Sequence, residues 1–463
     1  MSEIKRQSHG AIDMTQGSPT RLIVAFSLPL LLGNVLQQLY NMVDSIVVGN
    51  FVGSTALAAV STGFPLIFML SSLFIGLGMG ATVIIAQYIG AGDRDAVKRT
   101  VNTIYSALLI IFIPLTLLGL LITTPLLHIT KVNADVYPEA RIYCLTVFAG
   151  IIGGLGYNVN AGIMQGLGDS KTPLIFLAIA SVVNIILDLV FVLVFQLGVF
   201  GVALATILAQ FCSWIFGIFY INKKYDFIHI RFFQIKIDQY LLRQVVRLGV
   251  PSGIQQCQFS VAILFMQALI NVQGTAFIAG FAAANKIDSF AFMPIQSFAA
   301  AITTYVGQNL GAGRMDRVQK GVRSCLLVGT ATCIAITAIV LPLRVPLLSL
   351  FNQEPEVIRA GEAYLLRVLG PMFVLAVHFV LNGVLRGAGA TMVPMVSSII
   401  SLWAARVPAA YLLCAAFGPE NIYWSYLIGW LIGLAITLVV YLRGRWKDKC
   451  VVTAQQTGEV LPE

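Results

Sequence analysis

Charge is scarce in this sequence. Lys, Arg, Asp and Glu make up 11% of its 463 residues, while 58% are hydrophobic. A soluble globular chain carries about 25% charged residues. A chain with so few cannot cover a water-facing surface, so most of its surface is expected to face lipid. Cysteine and histidine are thin as well. The seven cysteines (Cys144, Cys212, Cys257, Cys325, Cys333, Cys414 and Cys450) are odd in number and form no CxxC pair. That excludes a disulfide framework and a zinc-finger spacing. The four histidines, His9, His128, His229 and His378, are scattered. No HExxH pair and no GxSxG elbow occurs, which removes the usual marks of an intramembrane hydrolase. The chain does not read as an enzyme.

What is present is a series of long apolar runs. About 20 apolar residues cross ~30 Å of hydrocarbon as a helix. That ruler gives twelve segments: 21–48, 55–88, 96–122, 137–164, 173–195, 199–221, 244–271, 275–308, 317–342, 357–385, 392–416 and 421–442. The second and eighth are too long for a perpendicular span, since 34 residues make ~51 Å of helix. Pro65 and Pro294 are their natural bend points, because proline removes an intrahelical hydrogen bond. The first apolar run, from Leu22, is too long for the core of a cleavable signal.

Orientation follows from the cations. With the N-terminus inside, 22 of the 29 Lys and Arg fall on inner segments, and four (Lys131, Arg141, Arg344 and Arg359) on outer loops. The positive-inside rule then places both termini in the cytoplasm. It also accounts for the net charge of +9 without nucleic acid. Residues 1–18 read as a cytoplasmic tail, 19–221 and 244–445 as two lobes, 222–243 as a cytoplasmic linker and 446–463 as a second tail. The stretch Gln239–Leu248 is expected to form an amphipathic helix on the inner leaflet, and Lys447–Glu463 to be unstructured.

The lobes are repeats. Gln87-Tyr-Ile-Gly90-Ala-Gly92 recurs as Gln308-Asn-Leu-Gly311-Ala-Gly313, displaced by 221 residues. Gly166-Leu-Gly168, followed by Pro173, recurs as Gly387-Ala-Gly389, followed by Pro394, at the same displacement. Gly53 maps to Gly274, and Pro29 to Pro251 with a slip of one. Six spans per half is an even number, so the halves are parallel repeats about an axis along the membrane normal. Neither glycine loop fits GxxxxGK[ST], so both read as tight turns and not as a nucleotide cradle.

Ionisable residues inside spans are costly and point to function. Three of the twenty acids fall there, Asp44, Asp188 and Asp288, along with Lys286, Arg367 and Arg406. Asn34, Gln37, Asn41, Asp44 and Ser45 form a polar stripe at helical spacing. Asn184 and Asp188 are i,i+4 neighbours on one helix face. Amides in spans also serve as interhelical glue, and Gln37 and Gln38 fit that role equally well. Asp288 fits a cross-helix ion pair with Arg406 as well as a substrate contact. Any of Phe64, Phe68, Met69, Phe281, Phe292 and Met293 fits a cavity wall or a packing position.

The two QxxGAG loops, the twin GxG…P loops, Pro29…Gln37-Gln38…Asp44 and Asn184…Asp188 together resemble the multidrug and toxic compound extrusion (MATE) family. The resemblance covers the chain from about Leu22 to Arg443. It implies an all-α membrane protein, with twelve transmembrane helices in two parallel six-helix repeats forming a V-shaped pair of lobes around a central cavity. It also implies export of amphipathic, often cationic, organic compounds in exchange for protons or sodium ions. The family branch with acids in the seventh and tenth spans is not matched, since these offer Gln255, Gln256, Gln258, His378 and Asn382. The branch with two first-lobe aspartates is matched better. The coupling site is therefore expected at Asp44, Asn184, Asp188 and Thr206, the last resembling a further ligand of the family site, and these four would also hold a sodium ion. Gln37, Asn41, Asn158, Gln255, Asp288 and Met293 are the substrate-cavity candidates. No cofactor beyond the coupling ion is implied.

The expected setting is a monomer in the cell membrane, with small organic solutes and the bilayer as partners. The rival reading, a flippase for a lipid-linked saccharide, calls for a cavity rich in Arg and Lys. The halves keep their loops but not their acids: shifting Asp188 by 221 lands on Ala409, and Asn184 on Ala405. The topology is tested by single cysteines in a background lacking the native ones. Asn133→Cys is expected to react with an impermeant thiol reagent from outside intact cells, and Asn222→Cys only after the membrane is opened. Labelling of Asn222→Cys in intact cells overturns the orientation.

Overall fold

The computed structural model describes residues 11–130, 132–231 and 235–452. His9, Lys131 and the outer parts of both expected tails lie outside the described residues. Twelve spans follow one another: α1 Pro19–Val52, α2 Ser54–Ala91, α3 Arg94–Ile129, α4 in two limbs (Tyr137–Ala149 and Ile151–Gly166), α5 Lys171–Val194, α6 Gly198–Lys224, α7 Gln239–Asn271, α8 Thr275–Gly311, α9 Met315–Val340, α10 in two limbs (Pro355–Leu369 and Met372–Gly387), α11 Met392–Phe417 and α12 Pro419–Arg443. No strand occurs among the described residues. Large apolar side chains stand open along the spans, Leu121 at 74%, Leu412 at 69% and Leu442 at 73% exposure, as lipid-facing residues should.

Two expectations about helix shape change. The helices run on through Pro65 and Pro294. Breaks fall in α4 and α10, with bends of 52° and 47°. Gly150 and Pro371, the residues at these breaks, are one repeat apart (150 + 221 = 371). The stretch Gln239–Leu248 is not a separate surface helix but the opening turns of α7. The described part of the C-terminal tail is ordered: Arg445–Lys449 forms a 3-10 turn, and Trp446, Cys450 and Val451 are buried. The Trp446 indole N–H donates to the Tyr441 carbonyl at 2.9 Å, and the two rings stack.

The repeat governs the backbone as well as the sequence. Gly92 and Gly313 close their loops at φ of +76° and +68°, and Gly168 and Gly389 at +89° and +92°. Such angles strain any residue with a Cβ, which is why glycine holds these positions in both halves. Helix packing repeats too. The Thr82 hydroxyl of α2 donates to the Gly162 carbonyl of α4 at 2.9 Å, and the Thr303 hydroxyl of α8 to the Gly383 carbonyl of α10 at 3.0 Å. Small residues let the backbones approach closely enough for these bonds, the usual device where no hydrophobic force separates helix from lipid.

By their packing the described residues form two compact units. One comprises residues 11–13 with Leu32–Gly253, the other Met14–Leu31 with residues 254–452. These are not the chain-order halves. The start of α1 belongs to the second unit and the start of α7 to the first. The changeovers, at 31/32 and 253/254, are 222 residues apart, and each follows a helix-internal proline, Pro29 or Pro251, by two residues. Within the first unit, α7 packs on α2 through glycines: a Cβ on Gly76 would lie 2.2 Å from the Gly253 nitrogen.

The close contacts make a stability prediction. A Cβ on Gly162 would lie 2.6 Å from the Gly78 carbonyl oxygen, and one on Gly383 2.5 Å from that of Ala299. Backbone cannot step aside cheaply, so Gly162→Ala and Gly383→Ala should each cost about 1–3 kcal/mol through overpacking. Thermal unfolding of the purified protein in detergent should show both Tm values lowered. Gly33→Ala, with its nearest neighbour at 3.9 Å, should leave Tm unchanged.

Candidate functional site

The site is built inside the first unit, where α1, α4, α5 and α6 converge with α2. Its geometry starts with glycine. The run Gly150-Ile-Ile-Gly153-Gly154-Leu-Gly156 strips one face of α4 of side chains. A Cβ on Gly153 would lie 2.8 Å from the Phe211 nitrogen, and one on Gly156 2.3 Å from the Trp214 ring. Bare backbone thus lets α6 sit hard against α4. Asn160 fixes the arrangement, its carboxamide nitrogen donating to the Trp214 carbonyl at 2.9 Å and its oxygen accepting from the Tyr105 hydroxyl. These contacts aim Thr206 and Gln210 of α6 toward α1.

From α1 come Gln37, Tyr40, Asn41 and Asp44, on one face. Gln37 Nε2 donates to Asn41 Oδ1 at 3.2 Å. Tyr40 and Thr206 line the same space from α1 and α6, and the Thr206 hydroxyl donates to the Val202 carbonyl at 3.1 Å. The carboxyl groups of Asp44 and Asp188 face each other within hydrogen-bonding reach. Asp188 is fully buried and Asn184 almost so. Oriented to satisfy both ends, the Asn184 carboxamide donates to Asp188 Oδ2 at 2.8 Å and accepts from the Thr206 amide at 3.1 Å. The opposite orientation offers only a long contact to the Thr206 hydroxyl, 3.5 Å, and turns oxygen toward carboxylate. Oδ1 of Asp44 and Oδ1 of Asp188 are sealed from solvent and have no protein partner. A five-residue π-helical turn, Val190–Val194, begins two residues after Asp188. Such turns are frequent at functional sites.

A cavity of about 440 Å³ opens beside this cluster, lined by Gln37, Tyr40, Asn41, Asp44, Ser61, Phe64, Tyr143, Asn158, Thr206 and Gln210 among others. Asp44 is the one charged residue in that lining. A smaller recess of about 140 Å³ shares Gln37, Tyr40, Asn158, Thr206 and Gln210 and reaches Asn184. The arrangement combines aromatic rings, amides and one carboxylate, with a second carboxyl group directly behind it.

Of the residues singled out in the sequence, Gln37, Asn41, Asp44, Asn158 and Thr206 line the cavity, Asn184 lines the recess, and Asp188 lies behind them. The remaining three belong to the second unit and line neither space. Gln255 accepts from Arg386 at 3.0 Å and donates to the Pro394 carbonyl at 3.4 Å. Met293 is buried in packing. Asp288 accepts from the Tyr364 hydroxyl at 3.0 Å. The anticipated Asp288–Arg406 bridge is not among the ion pairs of the described residues; Arg406 lies over the Tyr426 ring instead, 3.4 Å from its centroid. Of the aromatic candidates, Phe64 lines the cavity, whereas Phe281 and Phe292 pack on Tyr364 and Phe379. Sequence reasoning passed over Tyr40, Tyr143 and Gln210. Tyr40 and Gln210 had a local signal, each four residues from a marked one (Asp44 and Thr206). Tyr143 had only its repeat partner, Tyr364 (143 + 221).

Comparison with known proteins agrees with this architecture. The chain is 30% identical over 439 residues to the probable multidrug resistance protein YpnP of Bacillus subtilis (strain 168), covering 94% of this chain and 98% of that one. It is 27% identical over 453 residues to the probable multidrug resistance protein NorM of Thermotoga maritima, covering 95% of each. Its fold matches the outward-facing conformation of a multidrug resistance MATE family transporter of the MOP superfamily, with a TM-score of 0.87 at 22% identity over 96% of this chain and 99% of that one. The family model described as MatE matches twice, over residues 29–190 and 251–412, and so restates the internal repeat at a displacement of 222. The chain belongs to the multidrug and toxic compound extrusion family of membrane transporters.

Proposed function

We propose that this multidrug efflux transporter is a secondary antiporter of the cell membrane, acting as a monomer with both termini in the cytoplasm, and that it exports amphipathic organic cations in exchange for protons. The observation that carries the reading is the facing pair of carboxyl groups, Asp44 on α1 and Asp188 on α5. Two like charges at hydrogen-bonding distance and away from bulk water repel strongly, so the pair holds a proton between its oxygens or recruits a cation.

Asp44 also lines the cavity. An organic cation there would therefore meet the same negative charge that the proton neutralises. Binding of one disfavours binding of the other, and the linkage is reciprocal. Proton uptake from outside releases the drug, and drug entry from the cytoplasm releases the proton. Tyr40, Tyr143 and Phe64 supply ring faces suited to a cation's apolar frame. Asn184 and Thr206 hold Asp188 in place. In the sodium version of the exchange, the same four groups would turn oxygens to the ion. A hydrogen bond donated by Asn184 to Asp188 favours the ionised carboxylate, the form that takes up a proton or a cation. A flippase for a lipid-linked saccharide fits less well, since no Lys or Arg is among the described residues that line the cavity.

Reconstituted vesicles test both the site and the ion. Asp44→Asn and Asp188→Asn should each abolish efflux of a cationic dye under an imposed pH gradient, in protein that still inserts and folds. Asp288→Asn, in the second unit, should be milder. Full gradient-driven transport by both first-unit variants contradicts the proposed site. Efflux that follows an imposed sodium gradient and ignores pH replaces the proton with sodium.

A further inference from the structure

The loop between α8 and α9 does more than reverse the chain. Residues Met14–Gly17 lie across it and are held through their backbone. The Met14 N–H donates to Gln308 Oε1 at 3.0 Å. The Met14 carbonyl accepts from Asn309 Nδ2 at 3.0 Å and from Arg317 Nη2 at 3.2 Å. The Thr15 carbonyl accepts from Arg314 Nη1 at 2.8 Å, and the Gly17 carbonyl from Arg317 Nη1 at 3.0 Å. Arg317 is itself steadied, its Nε donating to Asn309 Oδ1 at 3.0 Å. The fork of its guanidinium thus spans two carbonyls and an amide, a task a lysine cannot repeat. The Met14 side chain is fully buried.

The other half lacks the two arginines. Arg314 and Arg317 correspond to Asp93 and Ala96 (each minus 221). There Asp93 caps its own helix, accepting from the Ala96 amide at 2.8 Å. The lead-in to α7 is held otherwise, by the hydroxyls of Ser106 and Thr103, which accept from the Lys236 and Asp238 amides at 2.9 and 3.1 Å. The repeat therefore kept the loop's glycines and placed the arginine pair on one copy.

We propose that Gln308, Asn309, Arg314 and Arg317 form a binding site for an extended peptide backbone, occupied by Met14–Gly17 of the same chain. Its role is to anchor the start of α1 in the second unit. Two facts give the anchor a consequence. Residues Met14–Leu31 belong to the second unit, and the same helix continues into the first unit, where it carries Gln37, Tyr40 and Asp44. A clasped start makes α1 a mechanical link to the carboxylate site. A loose start lets α1 move without transmitting force. These four side chains are positioning residues: they touch neither ion nor substrate.

Hydrogen–deuterium exchange on the purified full-length protein tests the site itself, independently of the antiport reading. Amides of the peptide covering residues 11–20 should be protected in the wild type. In Arg317→Ala they should exchange about tenfold faster or more, the opening expected when charge-assisted hydrogen bonds are lost. Peptides around Asp44 and Asp188 should keep their rates. If the 11–20 peptide already exchanges at an unstructured rate in the wild type, the binding site is wrong.

The mechanical role rests on the proposed antiport and is read separately. Arg317→Ala and Gln308→Ala should lose most gradient-driven dye efflux while dye affinity stays within about twofold, since the cavity lies in the first unit. Arg317→Lys should fall between. Variants with a freed strap and wild-type efflux overturn the anchoring role. Variants whose dye affinity collapses along with transport overturn it as well, because the clasp would then be acting on the cavity's structure.

Discussion

Two carboxyl groups meeting inside a membrane-spanning bundle is the constraint on which the rest of the first unit depends. Charge buried away from water is expensive unless partnered. The chain supplies Asn184 beside Asp188 on α5, braces it with the Thr206 amide of α6, and uses the glycine face of α4 to let α6 come close enough for Thr206 to arrive. Remove Asn184, and Asp188 Oδ2 loses the donor 2.8 Å from it. Even with this shell complete, one oxygen of each carboxyl lacks a protein partner. The pair is left able to take up something small and positive.

The two halves show how far duplication constrains a fold. Loop glycines with positive φ, the threonine-to-glycine-carbonyl bonds, the breaks in α4 and α10 and the changeovers after Pro29 and Pro251 all recur at 221 or 222 residues. These features set helix placement, so both copies need them. The chemistry on that frame has diverged. Positions 405 and 409, where Asn184 and Asp188 would repeat, hold alanines, and the second unit fills its interior with Phe277, Phe281, Tyr364, Tyr423, Tyr426 and Trp430. One unit therefore offers a cavity beside a carboxyl pair, and the other a packed aromatic core.

Much of this frame was legible in the sequence, because a span is a local property. Twenty apolar residues announce a helix wherever it ends up, and the twelve runs fall within about five residues of the observed helices, except that the third helix runs on seven residues to Ile129. The breaks were not legible: one at Gly150 or Pro371 leaves hydropathy untouched. Nor was the exchange of helix starts, since Gln239–Leu248 has the charge of a surface helix and covers one side, Leu241, Val245 and Leu248, only by packing on α2. The burial of Trp446 and Met14 inside apparent tails has the same cause. At the site, spacing gave the faces of α1 and α5 separately. That the two faces meet is tertiary, and so is the place of Tyr143, which no neighbouring residue signals.

The central claim is that Asp44 and Asp188 hold one exchangeable proton in competition with an organic cation. Proton release on substrate binding tests it most directly. A saturating cationic dye is added to purified transporter in weakly buffered detergent solution, and the pH is recorded. The account calls for acidification by the wild type that disappears in Asp188→Asn although the dye still binds. Dye binding with no proton release by the wild type, or release that survives in Asp188→Asn, contradicts it.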